Sequence, residues 1–324
     1  MIDKEQIVKP IVLEFEEFKT GFSKVLHSDI PLLQSAIEQV LHTNGKNLRP
    51  ILLLLTAKAC GEPGSTTIDS AIIMEILHTS TLIHDDVVDD TKQRRGVPSL
   101  NAIFDNRISV LTGDYILAGT ILRAAETENV AIIKLIAKVC RELSEGELMQ
   151  LDNAAKYSII EDNYFNVIKK KTATLISACA EIGATSVNAS PDMINKCRLF
   201  GQYLGFCFQI KDDIFDYYEN VELGKPTGND IREGKITLPL LYAINNATPK
   251  EFALYMNIIE KQDFTLDNIS ALINFAKQAG GIIYAEQKLA ENKQLAIDII
   301  NSLPKSDARH SLLQLADYIT ERTK

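Results

Sequence analysis

Along nearly all of its 324 residues the chain repeats one pattern: apolar side chains recur every three or four positions. The stretches "IPLLQSAIEQVL", "AIIKLIAKVCRELSEGELMQL" and "EQKLAENKQLAIDIINSL" show it plainly. That period suits an α-helix with one buried face, and a chain that keeps it from end to end must stack helices on one another. Alternating runs bounded by Asn-Gly or Asp-Gly are missing, so no strand is expected. The expectation is an all-α protein of about a dozen helices, organised as a single domain over residues 1–324.

Helix starts are legible. "TPKE" at Thr248 has a capping threonine, a proline in the first turn and a glutamate three after the cap, and "SPD" at Ser190 repeats the theme. "GEPGSTT" (61–67) separates two apolar helices, and "GKPTGNDIREGK" (224–235) is a long polar, glycine-bearing loop. Loops held by a rigid scaffold often carry function. No repeat of fixed period and no low-complexity linker interrupts the pattern.

Hydrophobic residues make up 46% of the chain and charged residues 24%, an ordinary globular composition. Cys60, Cys140, Cys179, Cys197 and Cys207 are odd in number and form no CxxC pair, so they read as buried thiols of a reducing compartment. The opening "MIDKEQIVKPIVLEF" has no basic stretch followed by an apolar one, and no uncharged apolar run approaches about 18 residues. A cytoplasmic protein is therefore expected. The net charge of −9 argues against nucleic acid as a partner. Bases gather instead in islands, Lys46 with Arg49, Arg94 with Arg95, Lys169 to Lys171, and Lys225 with Lys235, which leaves local anion sites open.

Acids gather too. In "LHTSTLIHDDVVDD" Asp85 and Asp89 lie four apart and share a helix face, with Asp86 about 100° round. Carboxylates this close repel unless a cation sits between them, and such oxygen ligands suit Mg2+. One DDxxD alone is as readily a solvated helix end. The spacing returns 127 residues later in "FQIKDDIFDYYE" as Asp212, Asp213 and Asp216, again after an apolar helix. Two helices carrying the same motif can face each other across a cavity and hold several metal ions.

With these motifs the chain resembles the trans-polyprenyl (isoprenyl) diphosphate synthase family, long-chain type, similar to octaprenyl, heptaprenyl and solanesyl diphosphate synthases. The resemblance covers nearly the whole length, through "GKNLRP" (45–50), "EILHTSTLIHDDVVDDTKQRRG" (75–96), "LTGDYIL" (111–117), "GELMQL" (146–151), "KKTATLISACAEIGA" (170–184), "GQYLGFCFQIKDDIFDY" (201–217) and "GKPTGNDIREGKITLPLL" (224–241). It implies an isoprenoid synthase-type helical bundle around a deep central cavity, normally a homodimer. It also implies a prenyltransferase that condenses an allylic prenyl diphosphate with isopentenyl diphosphate.

The same resemblance assigns roles. Asp85, Asp89 and Asp212 become direct ligands of about three Mg2+ ions, with Asp86, Asp213 and Asp216 acting through water or at one remove. Lys46, Arg49, His78 and Arg95 match the isopentenyl diphosphate site, and Arg94, Lys171 and Lys235 the grip on the allylic diphosphate. Thr172 and Gln209 match positions whose oxygens face the developing cation, and Lys225 belongs to a loop that closes over the site. Lys171, Thr172, Gln209 and Lys225 are thus the expected catalytic group. His84 reads as packed beside the motif; His27, His42 and His310 match nothing. Asp90 is an extra acid, and Tyr217 and Tyr218 read as packing.

Thr81 and Ser80 precede Asp85 by four and five residues, which puts them roughly one turn, ~6 Å, below the metal site. In the family aromatic residues there form a floor that stops elongation, whereas here both are small. Leu77 and Met74 continue the same face, and Leu117 and Ile121 are candidates from a neighbouring helix. The expectation is a product of hexaprenyl length or longer, of the kind used for respiratory quinone side chains and handed to membrane enzymes. The alternatives are a short-chain synthase making farnesyl or geranylgeranyl diphosphate and a non-catalytic subunit of a heteromeric synthase. A terpene cyclase leaves "GKNLRP" and His78 unexplained, and a plain helical scaffold leaves the linked motifs unexplained.

Overall fold

The computed structural model describes residues 3–41, 45–94, 96–218 and 227–322. As the periodicity predicts, they are overwhelmingly helical. The chain divides into two compact units, one made of residues 1–138, 178–198 and 300–315, the other of residues 139–177, 199–299 and 316–324.

The first unit begins with α1 (Lys4–Val8), a 3-10 turn (Lys9–Ile11), α2 (Val12–Phe22), α3 (Pro31–Leu41), α4 (Leu48–Cys60) and α5 (Ser65–Val88). β1 (Gln93–Arg94), β2 (Val97–Pro98), α6 (Leu100–Ile103) and α7 (Asn106–Glu126) follow. Residues 71–78 of α5 are all buried. A helix stretch buried on every side is one enclosed by others, and α5 packs on α2, α4 and α7. Ile72, Ile73 and Ile76 are weak helix formers by themselves, so burial rather than propensity holds this stretch. α4 is buried continuously from Pro50 to Ala57, with Pro50 in the first turn where a missing N–H does no harm.

The expectation of no strand needs one correction. β1 and β2 pair antiparallel, Gln93 with Pro98 and Arg94 with Val97, and Gly96 takes the turn at φ 79°. Strands of two residues are too short for any alternation to register in a sequence.

By length and composition one helix among the described residues, α7, could cross a membrane. Its Ser109, Thr112, Gly113, Ile116, Thr120 and Ala124 are buried, and α5 and α7 pack along their length.

The chain continues with α8 (Val130–Ala155), α9 (Glu161–Ile168), a five-residue π-helical segment (Lys169–Ala173), α10 (Thr174–Ser186), α11 (Pro191–Phe215) and α12 (Asn229–Arg232). It closes with α13 (Leu238–Asn245), α14 (Pro249–Glu260), α15 (Leu266–Gln278), α16 (Gly281–Asn301) and α17 (Asp307–Glu321). Tyr164, Phe206, Ile210, Ile214 and Tyr217 meet residues of α13 and α15 in the core of the second unit. Both expected helix starts are present: Thr248 and Glu251 form a capping box, and Ser190 Oγ accepts from the Met193 N–H at 3.4 Å. All five cysteines are free thiols; Cys179, Cys197 and Cys207 are buried, while Cys60 and Cys140 are half-buried.

Candidate active site

Both acidic clusters sit at the C-terminal end of a long helix, α5 and α11. There the aligned peptide dipoles already present partial negative charge. Acids gathered at such an end are opposed by the backbone and by one another, so the position calls for cations.

In the first unit Asp85 is half-buried, Asp86 is buried and Asp89, the C-cap residue of α5, is exposed. Arg94 folds back from the hairpin, its Nε and Nη2 donating to Asp86 Oδ1 at 2.8 and 2.6 Å. The hairpin therefore holds Arg94 at the first motif. His84 points to α7, with Nε2 3.4 Å from the Val110 carbonyl and 3.2 Å from Asp114 Oδ1. That is the packed role expected of it. Gly113 makes room for it: a Cβ at this position would stand 2.4 Å from His84 Nε2.

His78 is buried and lines a cavity of ≈ 610 Å³ together with Asn47, Glu75, Asp86 and Arg94. Lys46 and Arg49 flank the N-terminus of α4, an end whose partial positive charge favours anions. Arg95 falls outside the described residues, as do Lys225 and His42. Leu77 and Ser80 are buried, Ser80 donating its hydroxyl to the Gly113 carbonyl of α7 at 3.0 Å. Thr81 is half-buried, with its hydroxyl on the His78 carbonyl. His27 and His310 are exposed.

In the second unit each aspartate has a different partner. Arg322 Nη2 donates to Asp212 Oδ1 at 2.7 Å and to the Phe208 carbonyl at 3.0 Å, and its guanidinium lies over the Phe208 ring. Asp213 is 2% exposed and accepts the Tyr164 hydroxyl at 2.6 Å and Gln209 Nε2 at 2.8 Å. Burial pushes its carboxyl up to about 7, with the charges of Asp212 and Asp216 adding and the two hydrogen bonds opposing. Asp216 accepts the backbone N–H groups of Asn229 and Asp230 at 2.9 and 3.0 Å, which ties the end of α11 to the polar loop. Burial raises its pKa in spite of those bonds.

A cavity of ≈ 210 Å³ in this unit is lined by Lys171, Thr172, Gln209, Asp213 and Lys235, together with Tyr164 and Asp230. Five residues singled out by sequence thus meet on one cavity although they come from three separate segments. Lys171 and Thr172 lie in the π segment, a distortion frequent at functional sites. α8 clasps that segment: Glu147 holds Lys171 at 2.5 Å, Glu145 pairs with Lys170, and Glu142 accepts from Thr174 at 2.8 Å. Gly146 permits the approach, since a Cβ there would lie 2.8 Å from the Lys171 backbone nitrogen. Thr172 donates to Gln209 Oε1 at 2.7 Å. Tyr217 is packed, as expected, while Tyr218 is exposed.

Four participants were not assigned from sequence. Glu147 and Asp230 lie inside motifs already noted, so their position was the available signal; Tyr164 and Arg322 carry none.

Among the described residues no three carboxylate, imidazole or thiol groups converge into a ready metal cage. Mg2+ asks for fewer: it takes one or two carboxylates and completes its shell with water and phosphate oxygens. Asp85 and Asp89 stand at the end of α5, and Asp212, which shares Arg322, stands near the end of α11. Asp86, Asp213 and Asp216 are engaged by Arg94, by Tyr164 and Gln209, and by backbone N–H groups.

The profile of the polyprenyl synthetase family matches residues 30–275. The octaprenyl diphosphate synthase of Haemophilus influenzae is 35% identical over 92% of this chain and 90% of that protein. Among solved structures, a decaprenyl diphosphate synthase from Rhodobacter capsulatus superposes with a TM-score of 0.93 at 32% identity, covering 99% of both chains. A geranylgeranyl pyrophosphate synthase from Bacteroides thetaiotaomicron is 42% identical, with a TM-score of 0.85 over 98% of this chain and 99% of that one.

Proposed function

Because the chain belongs to the polyprenyl synthetase family and is a trans-prenyltransferase, we propose that it lengthens an allylic diphosphate with successive isopentenyl diphosphates to a long-chain all-trans polyprenyl diphosphate. The observation that carries this reading is the DDxxD spacing repeated at the C-terminal ends of α5 and α11, each beside its own cations. Asp85, Asp89 and Asp212 would hold Mg2+, about three ions per site, with Asp86, Asp213 and Asp216 supporting them at one remove. When bound, the metal neutralises the departing diphosphate so that its C–O bond can ionise.

Lys171 and Lys235, with Arg94 and the loop residue Lys225, grip the allylic diphosphate. Thr172 and Gln209 turn oxygen toward the carbon that becomes cationic. Lys46, Arg49, His78 and Arg95 hold isopentenyl diphosphate through charge-assisted hydrogen bonds alone. Its double bond attacks the cation, and the proton lost from the new carbon skeleton leaves with the released diphosphate. We propose a cytoplasmic homodimer of one prenyltransferase domain, whose product serves membrane enzymes that attach quinone side chains. The exposed apolar face of α7, with Leu111, Ile121 and Leu122, supports the dimer, and the exposure of Ile121 removes it from the candidates for the chain-length floor.

Product length has two readings. Small residues at Ser80 and Thr81, and Leu77 below them, favour hexaprenyl or longer, whereas the 42% identity to a geranylgeranyl pyrophosphate synthase favours a short product. Purified protein is incubated with Mg2+, farnesyl diphosphate and labelled isopentenyl diphosphate, with Asp85→Ala as control. A ladder ending at hexaprenyl or beyond, absent in the control, is expected. A stop at geranylgeranyl overturns the long-chain reading, and no incorporation favours a non-catalytic subunit.

A further inference from the structure

Gln209 can turn its carboxamide either way, and its two ends have opposite polarity. If its oxygen faces Thr172, that hydroxyl is consumed as a donor and the cavity sees lone pairs; if its NH2 does, the cavity sees N–H dipoles. A carbon turning cationic is stabilised by the first and opposed by the second.

The neighbours decide the matter. Gln209 and Asp213 are four apart on α11 and share a face, so Nε2 meets the Asp213 carboxylate at 2.8 Å and Oε1 is left to accept from Thr172 at 2.7 Å. The second oxygen of Asp213 is fixed in turn by the Tyr164 hydroxyl at 2.6 Å. Tyr164 is buried, and burial together with the Asp213 charge raises its pKa, so the phenol keeps its proton to donate.

The π segment makes this chain of contacts possible. At 3.6 residues per turn, eight residues would put Thr172 roughly 80° round from Tyr164. A π turn of about 4.4 residues brings the two to within roughly 10° of one line. Both then face the same side of α11.

We propose that Tyr164 and Asp213 are positioning residues that lock the Gln209 carboxamide with its oxygen toward Thr172, so that the cavity presents oxygen lone pairs to the allylic cation. This rests on the prenyltransfer reading above.

The test compares Tyr164→Phe with wild type for the binding, with Mg2+, of two allylic diphosphate analogues. One carries an ammonium nitrogen in place of the cationic carbon, and the other is an unreactive thiolodiphosphate with no positive charge at that position. The variant is expected to bind the ammonium analogue about tenfold more weakly while keeping the thiolo analogue within about twofold. Turnover should fall with KM little changed. Asp213→Asn, which keeps the shape but lets Gln209 invert, is expected to lower the ratio of ammonium to thiolo affinity by a similar factor, on top of any loss of Mg2+-dependent binding common to both analogues, and guards against a folding defect in the first variant. Equal losses for both analogues, or none, would overturn the assignment. A wild-type protein that binds neither analogue would overturn the prenyltransfer reading and this assignment with it.

Discussion

Gly113 and His84 form one contact seen from two sides. The imidazole reaches across to α7 because nothing projects from Gly113, and Ser80 spends its hydroxyl on the same residue's carbonyl. Gly113→Ala is therefore expected to destabilise the protein by ~1–3 kcal/mol, seen as a lower midpoint of thermal unfolding. Ser80 and Thr81 should also differ as sites for an aromatic floor. Thr81→Phe is expected to shorten the product ladder at little cost in stability, because the position is half-buried and its hydroxyl bonds only within its own helix. Ser80→Phe must displace α7, and unfolding should show the damage before product analysis does. At this scale the aspartate spacing was readable because it repeats. Arg322 was not, since nothing in "ITERTK" announces a guanidinium that returns to a carboxylate 110 residues upstream.

Among elements, the π segment between α9 and α10 has most to do with the site, for it turns Lys171 and Thr172 onto the cavity while α8 braces it from behind. Gly146→Ala would press a methyl against the Lys171 backbone, which no rotamer change can relieve. Turnover is expected to fall about tenfold or more, with helical circular dichroism unchanged, because small misplacements of reacting groups are costly. The capping box at Thr248 lies far from this chemistry in the chain, and Thr248→Ala should remove ~1 kcal/mol of stability without altering product length. Capping signals and the 3.6-residue period make helices legible in the sequence. The π segment, five residues long, is too short to show a period of its own, and so is the hairpin at 93–98.

For the whole molecule, α7 is the helix with two faces to satisfy. One is buried with α5; the other exposes Leu111, Tyr115, Ile121 and Leu122. On the dimer proposed for this face, Leu122→Glu is expected to shift the protein toward monomer in sedimentation, and to lower specific activity because α7 supports the helix carrying Asp85 and Asp89. A sedimentation profile unchanged by this substitution, or monomeric for the wild type, would overturn the dimer proposed on this face. The same arrangement bears on how the enzyme can be inhibited. A molecule aimed at the proposed diphosphate sites would have to be anionic and to compete with substrate for lysines and arginines. A neutral, lipophilic molecule wedged onto the outer face of α7 need do neither, and its effect would reach the aspartates through two side chains, Ser80 and His84.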